Sequence, residues 1–345
     1  MKAVRLHDHH HPPRLDEVPE PRISGPHDVV VRVGGAGLCR TDLHIRDGWF
    51  APVVPSELPV TLGHENSGWV HEVGSAVENV AVGDPVICHP QQSCGVCPAC
   101  RIGDDMRCER GLAFTGLTRD GGFAELLLTT DRAVLPLPGE LRPVDVAPHA
   151  DAGLTVMHVV RKAVPLLGPG TRVVVVGIGG LGHIGVQCLR ALTAAEVVAV
   201  DRDPEALKLA SGIGAHHVVP ADEQQVERVR GLTGGQGAEV VIDFVGEGDA
   251  PAAAFAMVRA RGTYFVVGYG GELRVPTFAL VLPEISVVGN AVGTHDDLRE
   301  LMALAATGGV PVHTRTYPLE AFADAMADLE EGRMHGRGVL VPGGR

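Results

Sequence analysis

Between its glycines and prolines, the first part of the chain carries short runs that mix apolar and polar positions. Val29-Val30-Val31-Arg32-Val33 is one, Gly68-Trp69-Val70-His71-Glu72-Val73-Gly74 a second, and Val82-Gly83-Asp84-Pro85-Val86 a third. Such runs, closed by turn residues, predict short strands in an irregular, mostly antiparallel β-domain. No helix-period pattern of useful length occurs before about residue 145. The pattern changes near Pro148. From Thr171 onward strands and helices alternate: strand 173–176, an apolar helix over 181–192, strand 197–200, and a helix opening at 204–210. Strands at 240–245 and 264–267 follow, with an edge strand at 285–288. Strands separated by helical patterns imply a parallel, doubly wound sheet. From about residue 290 a helix (298–306) and short strands are expected to return to the first domain. No repeat at solenoid periods is present. The chain is therefore expected to be α/β, with a β-domain over 1–150, a dinucleotide-binding domain over 151–289 and a returning tail over 290–345.

Bulk properties narrow the possibilities. At 345 residues the chain is long enough for two domains of ordinary size. A formal net charge of -13 repels a phosphate backbone, so nucleic acid is not an expected partner. No apolar run approaches the ~20 residues of a membrane span, and Met1-Lys2-Ala3-Val4-Arg5-Leu6 is too polar for a signal peptide. A cytoplasmic protein is the expectation. Seven cysteines, four of them in one short loop, fit that compartment better than a secreted disulfide framework does.

Three constellations carry chemistry. Gly177-Ile178-Gly179-Gly180-Leu181-Gly182 follows a predicted strand and opens a predicted helix, the context that gives the glycine fingerprint its force. Gly177 permits the tight turn, Gly179 lets the backbone approach a pyrophosphate, and Gly182 allows close packing. The helix N-terminus then offers free N–H groups to the phosphates. Asp201 ends the next strand, where a carboxylate holds the adenosine ribose and repels a 2′-phosphate, favouring NAD over NADP. Arg202 beside it is suited to the opposite preference. Second, Cys94, Cys97, Cys100 and Cys108 have the spacing C-x2-C-x2-C-x7-C, which fits a closed, structural zinc site over 94–108. An iron–sulfur reading would require the fourth cysteine after three residues with proline behind it, and Cys108 meets neither condition. Third, Cys39-Arg40-Thr41-Asp42-Leu43-His44 crowds a soft ligand, a cation, a hydroxyl, a carboxylate and an imidazole into a turn-sized segment behind Gly34, Gly35 and Gly37. With His64 it suggests a catalytic metal site beside a proton path. Such a site needs three protein ligands and an open position. Cys88 and Cys188 lie in apolar surroundings and read as core, so the third ligand must be a carboxylate or a histidine. His9, His10 and His11 read as a solvated surface run.

Taken together these residues resemble the zinc-dependent medium-chain alcohol dehydrogenases over nearly the whole chain. The resemblance rests on Cys39-Arg40-Thr41-Asp42, on Gly63-His64-Glu65-Asn66-Ser67-Gly68 with Gly74 following, on the four-cysteine loop and on the glycine fingerprint. Asp151-Ala152-Gly153-Leu154-Thr155 and Leu166-Leu167-Gly168-Pro169-Gly170 are most similar to bacterial NAD-dependent secondary-alcohol dehydrogenases. The resemblance implies a GroES-like catalytic domain with a Rossmann cofactor domain, two zinc ions per chain, and the active site in the cleft between the domains. It also implies that Asp151 is the third ligand, that Glu65 is an acidic neighbour able to approach the metal, and that Asp42 orients His64. By the same token Thr155 would lie under the nicotinamide and Arg40 would reach the pyrophosphate. Thr41 would take the alcohol proton and deliver it, through the cofactor ribose, to His44 at the surface.

The expected function is reversible hydride transfer between a primary or secondary alcohol and NAD, giving an aldehyde or ketone. Three readings compete on the same fold: a polyol dehydrogenase, a zinc-free enoyl or quinone reductase, and a non-catalytic dinucleotide sensor. The reductase has no need of Cys39, His64 and Asp151, and the sensor no reason to keep Thr41 and His44 beside a metal ligand. Asp151 as a plain helix N-cap and His44 as a plain surface residue are the bland alternatives. Small residues over Asn290-Ala291-Val292-Gly293-Thr294 suggest room for bulky or aryl alcohols, and Trp49 and Phe50 either line an apolar pocket or pack within the β-domain. A homo-oligomer is expected, a tetramer before a dimer, with the edge strand at 285–288 as pairing surface.

Overall fold

The computed structural model describes residues 1–54 and 57–343. It divides into two compact units, one of Met1–Leu154, Gly293–Gly308 and Val312–Arg345, the other of Thr155–Val292 and Gly309–Pro311. No helix among the described residues is long and apolar enough to cross a membrane.

The first unit is built on the strand Asp28–Leu38. Its β-branched Val29, Val30, Val31 and Val33 are buried, which is where such side chains pack well on a pleated sheet. This strand pairs antiparallel with Glu65–Val73, Leu126–Thr130 and Arg337–Val341. Pro85–Cys88 and Val134–Pro136 extend one side, and Thr314–Pro318 joins Arg337–Val341 in parallel. A smaller sheet holds Arg14–Glu17, Lys2–Leu6 and Val60–Thr61. Gly37 stands opposite Glu65 in the ladder, and a Cβ there would fall on the Glu65 carboxylate. That glycine makes room for a buried acid.

No helix-period pattern of useful length occurs before about residue 145, yet two short α-helices form there among the described residues, the single turn Pro98–Arg101 and a more telling one. Arg40–Arg46 is an α-helix with Cys39 as its N-cap. Asp42, at the third helical position, reaches back so that its Oδ2 accepts from the Cys39 N–H at 2.9 Å. Seven residues are too few to display a hydrophobic period, so the capping interaction is the only sequence signal of this helix.

The second unit is a six-stranded sheet with every neighbouring pair parallel. Its order is His217–Pro220, Glu196–Asp201, Arg172–Val176, Ala238–Asp243, Val258–Val266 and Ser286–Gly289. The central strands are continuously apolar and buried, as expected where helices cover both faces. Gly182–Leu192, Pro204–Gly212, Gln225–Leu232 and Ala250–Ala256 are the connecting helices. The chain is thus α/β, a mostly antiparallel β-unit plus a doubly wound parallel sheet, and Ser286–Gly289 is an edge strand. The opposite edge, His217–Pro220, escapes the sequence pattern because it is short and closes on a proline, tolerable only at an edge.

Candidate active site

Two clusters of metal-ligating side chains stand among the described residues, and both lie in the first unit. One is Cys94, Cys97, Cys100 and Cys108. Local backbone holds their sulfurs: the Cys97 N–H donates to Cys94 Sγ, the Cys94 N–H to Cys108 Sγ and the Glu109 N–H to Cys97 Sγ, each at 3.4 Å. Donors aimed at sulfur favour thiolate. Backbone N–H groups of Val96 and Cys97 bring the Cys94 thiol down to about 6. Burial pushes Cys100 of the cluster up to about 12, as it does Cys88 and Cys188. The last two belong to neither cluster and are core cysteines.

The second cluster is Cys39, His64, Glu65 and Asp151, all buried, with donor atoms within 4.8 Å of one another. Three separate elements deliver it. Cys39 caps the helix Arg40–Arg46, His64 immediately precedes the strand Glu65–Val73, and Asp151 sits between the 3-10 turn Ala147–Ala150 and the helix Ala152–Ala163. His64 Nε2 is 3.4 Å from Asp151 Oδ2, and Cys39 Sγ is 4.0 Å from the same oxygen. Tetrahedral bonds of about 2.0–2.3 Å place ligand atoms about 3.3–3.8 Å apart, so these separations suit one zinc ion with little rearrangement.

Electrostatics agree with the geometry. Both His64 nitrogens and Glu65 Oε2 are buried without a hydrogen bond, an arrangement that is costly unless something else satisfies them. Burial alone would lower the His64 pKa, but Asp42 and Asp151 on either side hold it well above the ordinary histidine value. Burial likewise would raise Asp151, yet His64 pulls it below the usual carboxylate range. The site favours positive charge, which is the property a zinc site requires. Asp42 Oδ1 lies 3.2 Å from His64 Nδ1 while its Oδ2 holds the Cys39 N–H, so one carboxylate orients two donors.

One oxygen of Glu65 is committed elsewhere. Its Oε1 accepts from the Ala152 N–H at 3.0 Å and from the Arg337 guanidinium, which is itself buried. Arg337 escapes sequence reasoning, since a lone arginine heading an apolar strand 272 residues from its partner gives no local signal. Thr41 and His44 fall three positions apart on the helix Arg40–Arg46, and Arg40 is exposed on its first turn. The expectation of His44 at the surface is corrected here. It is 7% exposed, because the Trp49 ring stacks on it at 4.1 Å and 12°. The histidines at 9–11 join neither cluster.

In the second unit Gly177 has φ +86°, the left-handed region a side chain resists. A Cβ at Gly182 would fall on the Gly177 carbonyl oxygen, whereas one at Gly179 would meet nothing within 4 Å, leaving open space beside the turn. Gly180 and Leu181 are half-buried between them. Asp201 Oδ2 accepts from the Ile178 N–H at 2.6 Å and Oδ1 from the Asp203 N–H at 2.8 Å, which ties the acid to the glycine turn. Arg202 is exposed, and Thr155 is buried within the helix Ala152–Ala163. In the segment suspected of lining a pocket, Asn290 Oδ1 accepts from Lys162 Nζ at 2.9 Å and the Gly293 carbonyl faces His89 Nε2 at 3.0 Å.

A buried cysteine–histidine–carboxylate cluster in a β-unit, with a glycine-turn sheet as second unit, defines a metal-dependent dinucleotide dehydrogenase. Residues 25–139 match the alcohol dehydrogenase GroES-like domain family, and residues 180–307 match the zinc-binding dehydrogenase family. An NAD-dependent alcohol dehydrogenase of Sulfurisphaera tokodaii is 35% identical over 99% of this chain and 100% of its own length. A D-arabinose 1-dehydrogenase (NADP(+)) of Saccharolobus solfataricus is 32% identical over 99% of this chain and 97% of its own. The crystal structure of the alcohol dehydrogenase from Aeropyrum pernix superposes with a TM-score of 0.96 at 45% identity, covering 99% of this chain and 100% of that one. The chain belongs to the zinc-dependent medium-chain alcohol dehydrogenase family.

Proposed function

We propose that the chain is an NAD-dependent alcohol dehydrogenase that prefers secondary alcohols and the corresponding ketones. The observation that carries this reading is the buried Cys39–His64–Asp151 cluster, whose donor atoms lie within 4.8 Å of one another. Those three residues would hold the catalytic zinc, and the four cysteines over 94–108 a structural one. When bound, the catalytic zinc supplies Lewis acidity to the substrate oxygen in either direction. Asp42 keeps the His64 ring in its ligating orientation. Arg337 neutralises Glu65 and holds it against the start of the helix Ala152–Ala163, so that Glu65 stands beside the zinc ligands as a neighbour. Thr41 accepts the alcohol proton, and His44 on the same helical face receives it, with Trp49 covering the ring. Asp201 accepts from ribose hydroxyls with the lone pairs its two backbone donors leave, which favours NAD over a 2′-phosphorylated cofactor. Gly177, Gly179, Gly180, Leu181 and Gly182 receive the pyrophosphate, with Arg40, Thr155 and Arg202 as further contacts.

The working division assigns catalysis to 1–150 with the returning 290–345, and cofactor binding to 151–289. Seven unpaired cysteines support a reducing, cytoplasmic location. The exposed edge strand Ser286–Gly289, beside exposed Phe278, Val281 and Leu282, supports a homotetramer, to be tested by light scattering. The function itself is tested by NAD reduction with a panel of primary, secondary, aryl and polyol alcohols, with metal analysis of the same sample. Turnover highest with secondary alcohols supports the reading. Activity only with polyols, or a higher kcat/KM with NADP, overturns that part of it.

A further inference from the structure

Asp243 ends the strand Ala238–Asp243 and has no role in the reading above. It pairs with Val176, the last residue of Arg172–Val176, on one side and with Val266 on the other. The strand order reverses between Arg172–Val176 and Ala238–Asp243, and a doubly wound sheet binds its ligand outside the strand ends at that reversal. The Asp243 side chain is fully buried there. Three donors meet it: the Val245 N–H at 2.8 Å and the Gly246 N–H at 3.0 Å on Oδ1, and the Tyr264 hydroxyl at 2.8 Å on Oδ2. Burial first, and the carboxylate second, hold the Tyr264 phenol far above its usual range, so it remains a donor.

What the carboxylate fixes is the backbone of residues 245 and 246. That backbone is the support of the glycine turn. A Cβ on Gly177 would come 2.6 Å from Val245 Cγ2, so the turn rests directly on Val245. The Phe244 N–H donates to the Val176 carbonyl at 2.9 Å, just before the turn begins. On the far side Gly246 and Gly268 interlock, since a Cβ on either would strike the backbone of the facing segment. The Val267 and Gly268 N–H groups both donate to the Asp243 carbonyl, at 3.0 and 2.9 Å. Residue 243 therefore anchors three segments through one side chain and one carbonyl.

We propose that Asp243 is a positioning residue for the dinucleotide: by holding the Val245 and Gly246 N–H groups it sets the wall against which the Gly177 turn is placed, and hence how the turn meets the pyrophosphate. The inference rests on the NAD-binding reading given above. A core acid with a purely structural role would lower stability and leave the affinity of the folded protein for the cofactor unchanged. A positioning acid changes affinity for any ligand that carries the pyrophosphate, and leaves the hydride step alone.

The test uses the full-length, metal-loaded protein with Asp243→Ala, Asp243→Asn and Tyr264→Phe. Each is titrated with NAD and with ADP-ribose, which keeps the pyrophosphate and lacks the nicotinamide. Asp243→Ala is expected to weaken both ligands by about tenfold and to raise the KM for NAD in step, while kcat at saturating NAD stays within about twofold. Asp243→Asn keeps an oxygen for both N–H groups and is expected to bind both ligands with the parent's affinity. If Asp243→Ala does not fold, Tyr264→Phe carries the test, with both ligands weakened by about threefold and kcat unchanged. Unchanged affinity in folded Asp243→Ala, or in Tyr264→Phe where Asp243→Ala does not fold, would overturn the proposal, as would a loss confined to kcat or a loss in Asp243→Asn equal to that in Asp243→Ala. A parent protein that binds neither ligand would instead remove the dehydrogenase reading on which it depends.

Discussion

The two donor clusters of the first unit invite comparison because they use similar atoms for opposite ends. The four-cysteine cluster spans 15 residues of one loop, and its sulfurs are steadied by N–H groups of that same loop. The mixed cluster gathers Cys39, His64 and Asp151 from segments 112 residues apart at the extremes, and side chains from still farther away hold it. Four thiolates close a tetrahedron and leave nothing to react. The mixed cluster brings together Cys39, His64, Asp151 and Glu65, and Glu65 is also held by the Ala152 N–H and Arg337. The difference lies in what does the holding: in the loop, local backbone; in the mixed site, side chains, Asp42 from the helix that Cys39 caps and Glu65 and Arg337 from two strands.

That contrast makes the effects of substitution differ in kind. Replacing Asp151 with Ala removes a donor that only the completed fold brings to the cluster. It should lower kcat/KM by at least about a thousandfold, or about 4 kcal/mol of transition-state stabilisation, with the melting temperature changed little; steady-state kinetics with calorimetry checks both. Replacing Cys108 with Ser should show the reverse: a melting temperature lower by about 5–10 °C and turnover of the surviving protein within a few-fold of the parent. Equal losses of activity in the two variants would erase the distinction.

Smaller changes sharpen it. Arg337→Leu strands the buried Glu65 carboxylate, a loss expected to cost about 3–5 kcal/mol in denaturant unfolding. Asp42→Asn keeps the helix start but weakens the hold on His64, and should reduce metal affinity of the mixed site by about 10–100-fold in a chelator competition. At the loop, Asp105 gives the mildest expectation. Burial raises its pKa, but Ser93, the His295 N–H and Arg132 bring it below the ordinary carboxylate value. A depressed folded pKa contributes stability above the unfolded value of about 3.9 that fades as pH falls through the folded one. Asp105→Asn should therefore be less stable than the parent at pH 7, with the two melting temperatures converging under acid.

How much could be read from the chain follows the same division. The cysteine spacing and the glycine fingerprint are local patterns, so the loop and the nucleotide turn were legible as chemistry and as context. Cys39 and His64 were legible as metal donors from their polar neighbours, but Asp151 only through resemblance, because nothing in a linear chain says that residue 151 meets residue 39. Arg337 was invisible for the same reason. The helix Arg40–Arg46 was missed because two turns show no period, and the Trp49 ring over His44 because stacking across five residues leaves no composition signal. Element types in the parallel sheet were clear from long apolar runs, while its short edge at His217–Pro220 was not.

The central claim is that the buried mixed cluster is a metal site distinct from the cysteine loop. Metal content per chain, measured by mass spectrometry on the parent and on Asp151→Ala, tests it most directly. Two zinc ions in the parent, one for each cluster, and one in the variant are the predicted result. A parent with a single zinc ion, or a variant that keeps both, would contradict the account.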